Sequence, residues 1–296
     1  MIDMIENARV VVDTDSCTKC RACSDECDFY YFESDNMYFD EAMEEFCIEC
    51  GKCVAVCPVN AIKLKLYENE VFEDVPTKGE ISSFESFVKL VKSRRSRRQF
   101  TDKSVPKELI EKILNEVGRY SPTGHNQENV HFTIVQNKEI LKKLSDECTN
   151  QVTNLINVFE DPEGRKTLEK SFPPSLIKRI EVVIPAFKRA LKKIKQGKEI
   201  WRRNAEIIVI HTPKDALTPI ENCTLAAGYI MLAAESLGLG TCSLGYITYF
   251  FNEFRLVGKI IKLPLKHVVG YTLAIGFPKA RYYKIPERRS SKVKWL

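Results

Sequence analysis

The sequence has no hydrophobic run long enough to cross a bilayer. Its longest apolar stretch, residues 225–234, stops at Glu235 and is about half the length of a spanning helix. Residues 1–6 contain acidic side chains and no basic cluster, so a secretory signal is not expected. We therefore expect a cytoplasmic protein that does not enter the membrane.

Two catalytic signatures are also missing. There is no glycine fingerprint for a dinucleotide, and no Ser–His–Asp set or carboxylate pair stands out. The reactive atom is therefore expected to belong to a cofactor. The net charge is +5, and basic residues are spread over segments 92–98, 188–198 and 281–294. This spread favours solvated faces and an anionic cofactor site over nucleic acid.

Cysteine is abundant, with eleven residues among 296. Eight of them form two sets with the spacing C-x2-C-x2-C-x3-C, namely Cys17, Cys20, Cys23 and Cys27, then Cys47, Cys50, Cys53 and Cys57. At this spacing three thiolates surround one [4Fe-4S] cluster, and the fourth reaches the other cluster. The inferred ligand sets are Cys17, Cys20, Cys23 and Cys57, and Cys47, Cys50, Cys53 and Cys27. This stretch resembles the bacterial two-cluster ferredoxin.

Two other interpretations of the cysteines are weaker. Four ligands complete a zinc site, so a zinc ribbon would leave cysteines over. Disulfides need an oxidising compartment, which nothing in the sequence indicates. Asp28 follows the first set where the ferredoxin pattern has proline, whereas Pro58 follows the second set. That departure weakens the expected turn but removes no ligand.

The length allows two domains. Short β-branched runs at residues 10–12 and 61–66 flank the cysteine region and suggest two halves related by a local two-fold. The acidic segment 67–83 contains Pro76 and Gly79, which is typical of a linker. We expect a two-cluster ferredoxin domain over 1–78 and a second domain over 79–296.

The second domain is predicted to be α+β, with a mixed sheet between helices. Residues 150–203 are predicted to form a charged helical excursion over the active site, broken at Pro162, Pro173, Pro174 and Pro185. Gly238–Gly245 is predicted to be a glycine-bounded loop. Helices are predicted over 84–95, from Pro106 to Gly118, and over 138–148, 223–237 and 252–261, and strands over 130–135, 205–211 and 268–275.

Four short segments of this domain contain residue types that suggest a binding site. A guanidinium cluster at 94–98 suits a phosphate, which arginine binds in bidentate fashion. A small-residue turn, 120–126, ends in an amide, and the second glycine-punctuated loop is 238–245. Gly276-Phe277-Pro278 then leads into a basic tail. Together they resemble the FMN-dependent nitroreductase family over about residues 84–296, apart from the excursion.

This resemblance implies a homodimer with two FMN sites at the subunit interface, where Asn126 and its loop serve the partner's flavin. Asn126 would bond the pyrimidine side of the ring. The FMN phosphate and ribityl group would be held by Arg94, Arg95, Ser96 and Arg98, with Arg288 and Arg289 completing the clamp, and the backbone of Ser243, Leu244, Gly245 and Tyr246 would follow the ring, with an N–H directed at N5. Glu128 and Ser243 depart from the family pattern, which puts ring-edge contacts and substrate choice in doubt.

The expected function is an oxidoreductase that passes electrons from the clusters to FMN and on to a nitroaromatic, quinone or enone. Ferredoxin or another donor would supply the electrons. The alternatives are a flavin-processing or dehalogenating relative, and an electron carrier or redox sensor without catalysis. His125 is a candidate for polarising a substrate oxygen. The remaining histidines and non-cluster cysteines are expected to be structural: His131, His211, His267, Cys148, Cys223 and Cys242.

Overall fold

The structure is a computed structural model that describes residues 9–67, 72–194 and 204–296. The chain divides into two compact units, one containing residues up to Ile81 together with His125–Gln127, and the other containing Ser82–Gly124 and Glu128–Leu296. About 47% of the described residues are helical and 16% are strand, which confirms the α+β class. The short segment His125–Gln127 groups with the first unit although its sequence neighbours belong to the second.

The first unit is small and consists of two halves, each containing one cysteine loop. In chain order its elements are β1 (Val10–Val12), α1 (Ala22–Glu26), β2 (Tyr30–Glu33), β3 (Asn36–Phe39), α2 (Lys52–Ala55) and β4 (Ile62–Leu64). Strand β1 pairs antiparallel with β4, so Val10 faces Leu64. β2 and β3 form a hairpin, and a 3-10 turn over Glu41–Phe46 leads to the second cysteine loop. Both predicted flanking strands are therefore confirmed.

The second unit is a central sheet between layers of helices. Its elements are α3 (Phe84–Ser93), α4 (Lys107–Glu116), β5 (His131–Val135), α5 (Lys138–Glu160), α6 (Pro162–Ser171), α7 (Pro174–Ile194), β6 (Glu206–Pro213), α8 (Pro219–Ser236), β7 (Gly240–Ser243), α9 (Gly245–Glu253), α10 (Arg255–Ile260) and β8 (His267–Gly276). The strand order is β5-β6-β8-β7, and these pairs are antiparallel. An isolated parallel bridge between Ser96 and Thr241, at the β7 edge, gives the sheet both parallel and antiparallel pairing.

The continuous apolar run in β6 is explained by burial on both faces of the sheet. Ile207 and Val209 belong to one core cluster, which α5, α7, α9 and α10 cover. Ile208 and Ile210 point the other way, into a cluster with residues of α4 and α8. Because side chains alternate along a strand, a strand buried on both sides needs no polar alternation.

The helical excursion differs in part from its prediction. The helix predicted over 138–148 continues to Glu160 as α5. Pro162 starts α6, with Asp161 as its N-cap, and Pro173 precedes α7, so both breaks are confirmed. The break predicted at Pro185 is wrong, because Pro185 lies inside α7. The adjacent Ile184 and Phe187 are buried in the core, and this packing compensates for the backbone hydrogen bond that proline cannot make. The end of the predicted excursion, 195–203, lies outside the described residues.

Two elements near the C-terminus also differ from the prediction. Half of the predicted loop 238–245 is strand β7, because its backbone pairs with β8 from Gly240 to Ser243. The predicted helix over 252–261 is two helices, α9 and α10, separated by Phe254 in an extended conformation. In the part of the chain that the structure describes, no helix combines the length and apolar character needed to cross a membrane.

Candidate functional site

The two cysteine loops of the first unit share one backbone conformation. Lys19 and Arg21 have φ values of 58° and 67°, and Glu49 and Gly51 have values of 48° and 72°. These positions lie two and four residues after the first cysteine of each set. Left-handed residues turn the chain sharply, which directs successive cysteines toward one centre. The repeated spacing in the sequence thus corresponds to a repeated fold.

The structure brings together both predicted ligand sets. Cys57 crosses to the first loop and lines one cavity with Cys17, Cys20 and Cys23. In the other direction, Cys27 lies close enough to Cys47 and Cys53 to interact with them electrostatically. Cys50, like Cys20, is solvent-exposed at the outer end of its loop. The exchange of the fourth cysteine expected for a two-cluster domain is present.

The surroundings of these thiols fit iron–sulfur clusters. The backbone N–H of Lys19 donates to Cys17 Sγ at 3.4 Å, and that of Ala61 donates to Cys57 Sγ at 3.2 Å. Such donors stabilise the negatively charged thiolate that forms when a metal displaces the thiol proton. Across the described ranges, no three His, Cys, Asp or Glu side chains converge on a single ion. Cubane ligands need not do so, because each thiolate binds a different iron atom.

In the second unit, a cavity of about 580 Å³ gathers the predicted phosphate residues. Its described lining contains no acidic side chain. The lining residues are Arg94, Arg95, Ser96, Arg98, Arg281, Tyr282, Tyr283, Lys284, Pro286 and Arg288. Sequence reasoning did not assign Arg281, Lys284 or the two tyrosines, although the RYYK segment offers both cations and aromatic rings. Arg289 is not among the lining residues. Six cations around one cavity favour a dianion.

Arg97 has a separate role at the edge of this cavity. Its Nη1 donates to the carbonyl of Ala280 at 3.0 Å, and its guanidinium lies 3.9 Å from the ring centre of Tyr282. Its Nη2 is 3.7 Å from a Glu235 carboxylate oxygen. A Cβ at Gly240 would come within 2.5 Å of Arg97 Cγ, so glycine is required there. Arg97 thereby fixes the tail that carries Arg281, Lys284 and Arg288.

Strand β7 links the cationic cavity to an apolar one. The backbone N–H of Arg97 donates to the carbonyl of Thr241 at 2.8 Å, next to the bridge formed by Ser96. Two residues further along β7, about 7 Å away at the usual rise per residue, Ser243 lines the second cavity. Leu244, Gly245 and Tyr246 line it as well. One short strand therefore connects both groups of predicted FMN residues.

The second cavity is apolar and has a volume of about 560 Å³. Residues of α5, α7 and α9 line it, and none of the described lining residues carries a charge. Phe187 and Tyr246 meet edge to face, with ring centres 5.1 Å apart. Ser243, which belongs to this lining, has its Oγ 2.7 Å from Tyr271 Oη. Such a lining suits an uncharged aromatic or conjugated molecule.

The turn 120–126 is fixed by Asn222, which sequence reasoning missed. Asn222 is buried, and its Oδ1 accepts from the Gly124 backbone N–H at 3.1 Å and from the Thr218 hydroxyl at 2.9 Å. A Cβ at Gly124 would lie 2.9 Å from that hydroxyl. Asn222 is 98 residues from Gly124 in sequence, so no local pattern indicates its role, which depends on a tertiary contact.

Asn126 and His125 lie outside both cavities. The Asn126 side-chain amide donates to the carbonyls of Glu49 at 3.3 Å and Ile48 at 3.5 Å, which belong with it to the first unit. His125 is exposed and adopts a left-handed conformation with φ of 51°. A flavin contact by Asn126 and a catalytic role for His125 both stay predictions.

The remaining histidines and cysteines have structural surroundings. His211 Nδ1 lies 2.8 Å from His267 Nδ1, and His131 stacks beside His211. Burial and the two neighbouring rings lower the pKa of His211 to about 4. Burial raises the pKa of Cys148 to about 12 and that of Cys223 to about 11, so both remain thiols at neutral pH.

Residues 91–277, more than half of the chain, match the family model described as Nitroreductase family. The chain belongs to the nitroreductase family. Within this nitroreductase-family protein, residues 16–62 match a 4Fe-4S dicluster domain. These two matches confirm the predicted fusion, and family membership makes the protein an oxidoreductase.

Individual relatives agree with both parts of this nitroreductase-family protein. A protein of Archaeoglobus fulgidus named NADH dehydrogenase/NAD(P)H nitroreductase is 25% identical over 222 residues, which are 71% of this chain and 99% of that protein. A ferredoxin of Pyrobaculum islandicum is 39% identical over 62 residues, 21% of this chain and 58% of the ferredoxin. A Desulfitobacterium hafniense nitroreductase solved with bound FMN has a TM-score of 0.52 at 20% identity, covering 71% of this chain and 97% of that one.

Proposed function

We propose that this protein is an FMN-dependent oxidoreductase in which two [4Fe-4S] clusters supply the electrons that reduce an uncharged, apolar small molecule. The match to a 4Fe-4S dicluster domain and the membership of the nitroreductase family support the predicted cofactor types, iron–sulfur clusters and FMN. The identity of the acceptor and of the donor, the site residues and the homodimer are parts of the proposal.

The observation that carries the FMN site is the pair of cavities joined by β7. FMN has a dianionic phosphate at one end and a largely apolar ring at the other, so its site needs both environments. Arg94, Ser96 and Arg288 line the cationic cavity, whereas Ser243 and Tyr246 line the apolar one. The connection through Thr241 keeps the two cavities within reach of one cofactor.

FMN supplies the step between one-electron carriers and a two-electron acceptor. The protein's own residues bind and orient. The guanidinium groups would hold the phosphate, and the backbone from Ser243 to Tyr246 would contact the ring. Phe187 and the surrounding aliphatic side chains of α7 exclude water from the space beside that backbone. Asn126 and Arg289 remain proposed contacts without support from either cavity.

The acceptor is proposed to be a nitroaromatic, quinone or enone. The apolar cavity supports this choice, because an acceptor bearing a charged group would lose its hydration there without gaining a partner. Much of the cavity comes from α5 and α7, two helices of the excursion, so the excursion selects the acceptor. Reduced ferredoxin, or another one-electron donor of low potential, is the proposed source of electrons.

The deciding experiment compares two ways of reducing the reconstituted protein under anaerobic conditions. Wild-type protein with FMN should turn over a nitroaromatic in excess, with either reduced ferredoxin or dithionite as donor. Cys50→Ala removes a proposed cluster ligand and should abolish the ferredoxin-linked activity. It should spare direct reduction by dithionite. Cys148→Ala, which removes a buried thiol outside the ligand sets, is the control and should retain both activities.

The outcomes separate this function from the alternatives. No turnover beyond one equivalent would indicate an electron carrier or sensor. Breakdown of FMN during turnover would indicate a flavin-processing enzyme, and preferential release of halide from a halogenated phenol would indicate a dehalogenase. Equal loss of both activities in Cys50→Ala and Cys148→Ala would contradict the proposed electron route.

A homodimer is the proposed assembly. The predicted apolar face of α3 is present but largely uncovered, since Phe84, Phe87 and Val91 are 75%, 48% and 43% exposed. Leu225 and Tyr229 of α8 are also exposed. A second copy would remove these side chains from water. Light scattering coupled to size-exclusion chromatography should give twice the mass of the 296-residue chain.

A further inference from the structure

Tyr30, the first residue of β2, has a buried hydroxyl that lacks a hydrogen-bond partner. The residue is only 6% exposed, and its Oη makes no hydrogen bond to any residue that the structure describes. A buried polar group without a partner costs about 1–3 kcal/mol, so its presence calls for an explanation. Phenylalanine would fill the same space without that cost.

The surroundings of the hydroxyl identify its partner. The Tyr30 ring packs edge to face on Phe39, with ring centres 5.2 Å apart, and this packing fixes its direction. Tyr30 belongs to the same small core as Cys23, Cys27 and Cys53. Its hydroxyl lies close enough to the side chain of Cys53, one of the second set of proposed cluster ligands, for the two groups to interact.

The other half of the first unit lacks this group. Tyr30 stands three residues after Cys27, and its backbone N–H donates to the Cys27 carbonyl at 3.3 Å. Three residues after Cys57 stands Asn60, whose N–H makes the same bond to the Cys57 carbonyl at 3.4 Å. Asn60 is exposed and left-handed, with φ of 54°. The two halves therefore share this hydrogen bond but differ in the backbone conformation and in the side chain at this position.

We propose that the Tyr30 hydroxyl donates a hydrogen bond to the sulfur of Cys53, and that this bond raises the reduction potential of the cluster held by Cys47, Cys50, Cys53 and Cys27. Hydrogen bonds to cluster sulfurs are among the factors that set such potentials. Reduction adds negative charge to the cluster, and a donor stabilises the more negative state more strongly. Tyr30 thus makes the two clusters unequal.

The test is an anaerobic redox titration of the full protein, followed by EPR. Iron and sulfide counts on wild type come first, because a shortfall there refutes the cluster assignment rather than this inference. In Tyr30→Phe, we expect one cluster to become about tenfold harder to reduce, which equals about 59 mV for a one-electron step. The other potential should not move. Tyr31→Phe changes the exposed neighbour on the same strand and should leave both potentials unchanged.

A second replacement covers the case in which Tyr30→Phe does not take up its clusters. Placing 3-fluorotyrosine at position 30 keeps the packing and makes the phenol a stronger donor, so the potential of one cluster should rise. The inference is overturned if fully loaded Tyr30→Phe keeps both wild-type potentials, or if both potentials shift equally. It is also overturned if fluorination leaves them unchanged.

Discussion

The cationic cavity makes a quantitative prediction about Arg94. This side chain is half-buried at the end of α3 and lines the cavity together with four other arginines and Lys284. A hydrogen bond to a charged group contributes about 1.5–3 kcal/mol. Because the cavity is open to solvent and other cations remain, the lower figure applies. Arg94→Gln should therefore weaken FMN binding by about 1.5 kcal/mol, roughly tenfold in Kd.

The assay uses the ligand's own phosphate as an internal comparison. FMN and riboflavin share the ring and ribityl chain, and only FMN carries the phosphate. Titration followed by quenching of flavin fluorescence gives both Kd values for wild type and for Arg94→Gln. We expect the Kd for FMN to rise about tenfold and the Kd for riboflavin to stay within a factor of two, in line with a purely phosphate-directed contact.

Arg119→Gln is the matched control for this measurement. Arg119 is exposed, stacks over Tyr120 and is not among the described lining residues of either cavity. Its replacement removes the same charge without touching the cationic cavity, so the Kd for FMN should not change. If Arg94→Gln weakens riboflavin as much as FMN, or if Arg119→Gln weakens FMN equally, the assignment of the phosphate site is wrong.

Three further predictions concern the apolar cavity, the histidine cluster and the packing of Arg97. Val183→Lys places a charge in the apolar cavity and should lower kcat/KM for an apolar acceptor at least tenfold, whereas Val182→Lys, on a neighbouring residue that is 72% exposed, should not. His211 has a folded pKa of about 4, below its unfolded value near 6.5, so its contribution is complete above pH 6.5 and is lost as the pH falls toward 4. From pH 7 to pH 5 the free energy of unfolding in urea should fall by about 2 kcal/mol more in wild type than in His211→Asn, and equal slopes would contradict this. Gly240→Ala should lower the free energy of unfolding by about 1–3 kcal/mol, because its Cβ would clash with Arg97. Gly228→Ala, where nothing lies within 4 Å of the added Cβ, should be neutral or slightly stabilising. Similar effects of both substitutions would refute the packing argument.

The sequence predicted well those features that depend on short-range spacing. The cysteine frames indicated the clusters because three ligands within seven residues leave few ways to fold around one centre. Strand β6 was predicted because its β-branched residues 207–210 form an unbroken apolar run. Local signals failed where packing overrode them. Pro185 remains helical inside α7, and Gly240–Ser243 pairs with β8 although its glycine boundaries suggested a loop.

The predicted site residues show the same difference between local signals and tertiary packing. The arginines near residue 95 and those of the tail were predicted to act on one phosphate, and the structure places most of them around one cavity. Arg281 and Lys284 were not assigned, because the tail has no regular periodicity to show which side chains turn inward. Their position depends on the contacts of Arg97 with Ala280 and Tyr282, which are more than 180 residues away in sequence.

By itself the sequence determined the family, the presence of an iron–sulfur domain and the α+β class, since these depend on residue type, spacing and periodicity. Only the tertiary structure decided that β7 connects a cationic cavity to an apolar one. It also decided that the buried phenol of Tyr30 lies near Cys53. Cavities and buried donors arise where distant segments pack, and no local pattern specifies which side chains meet there.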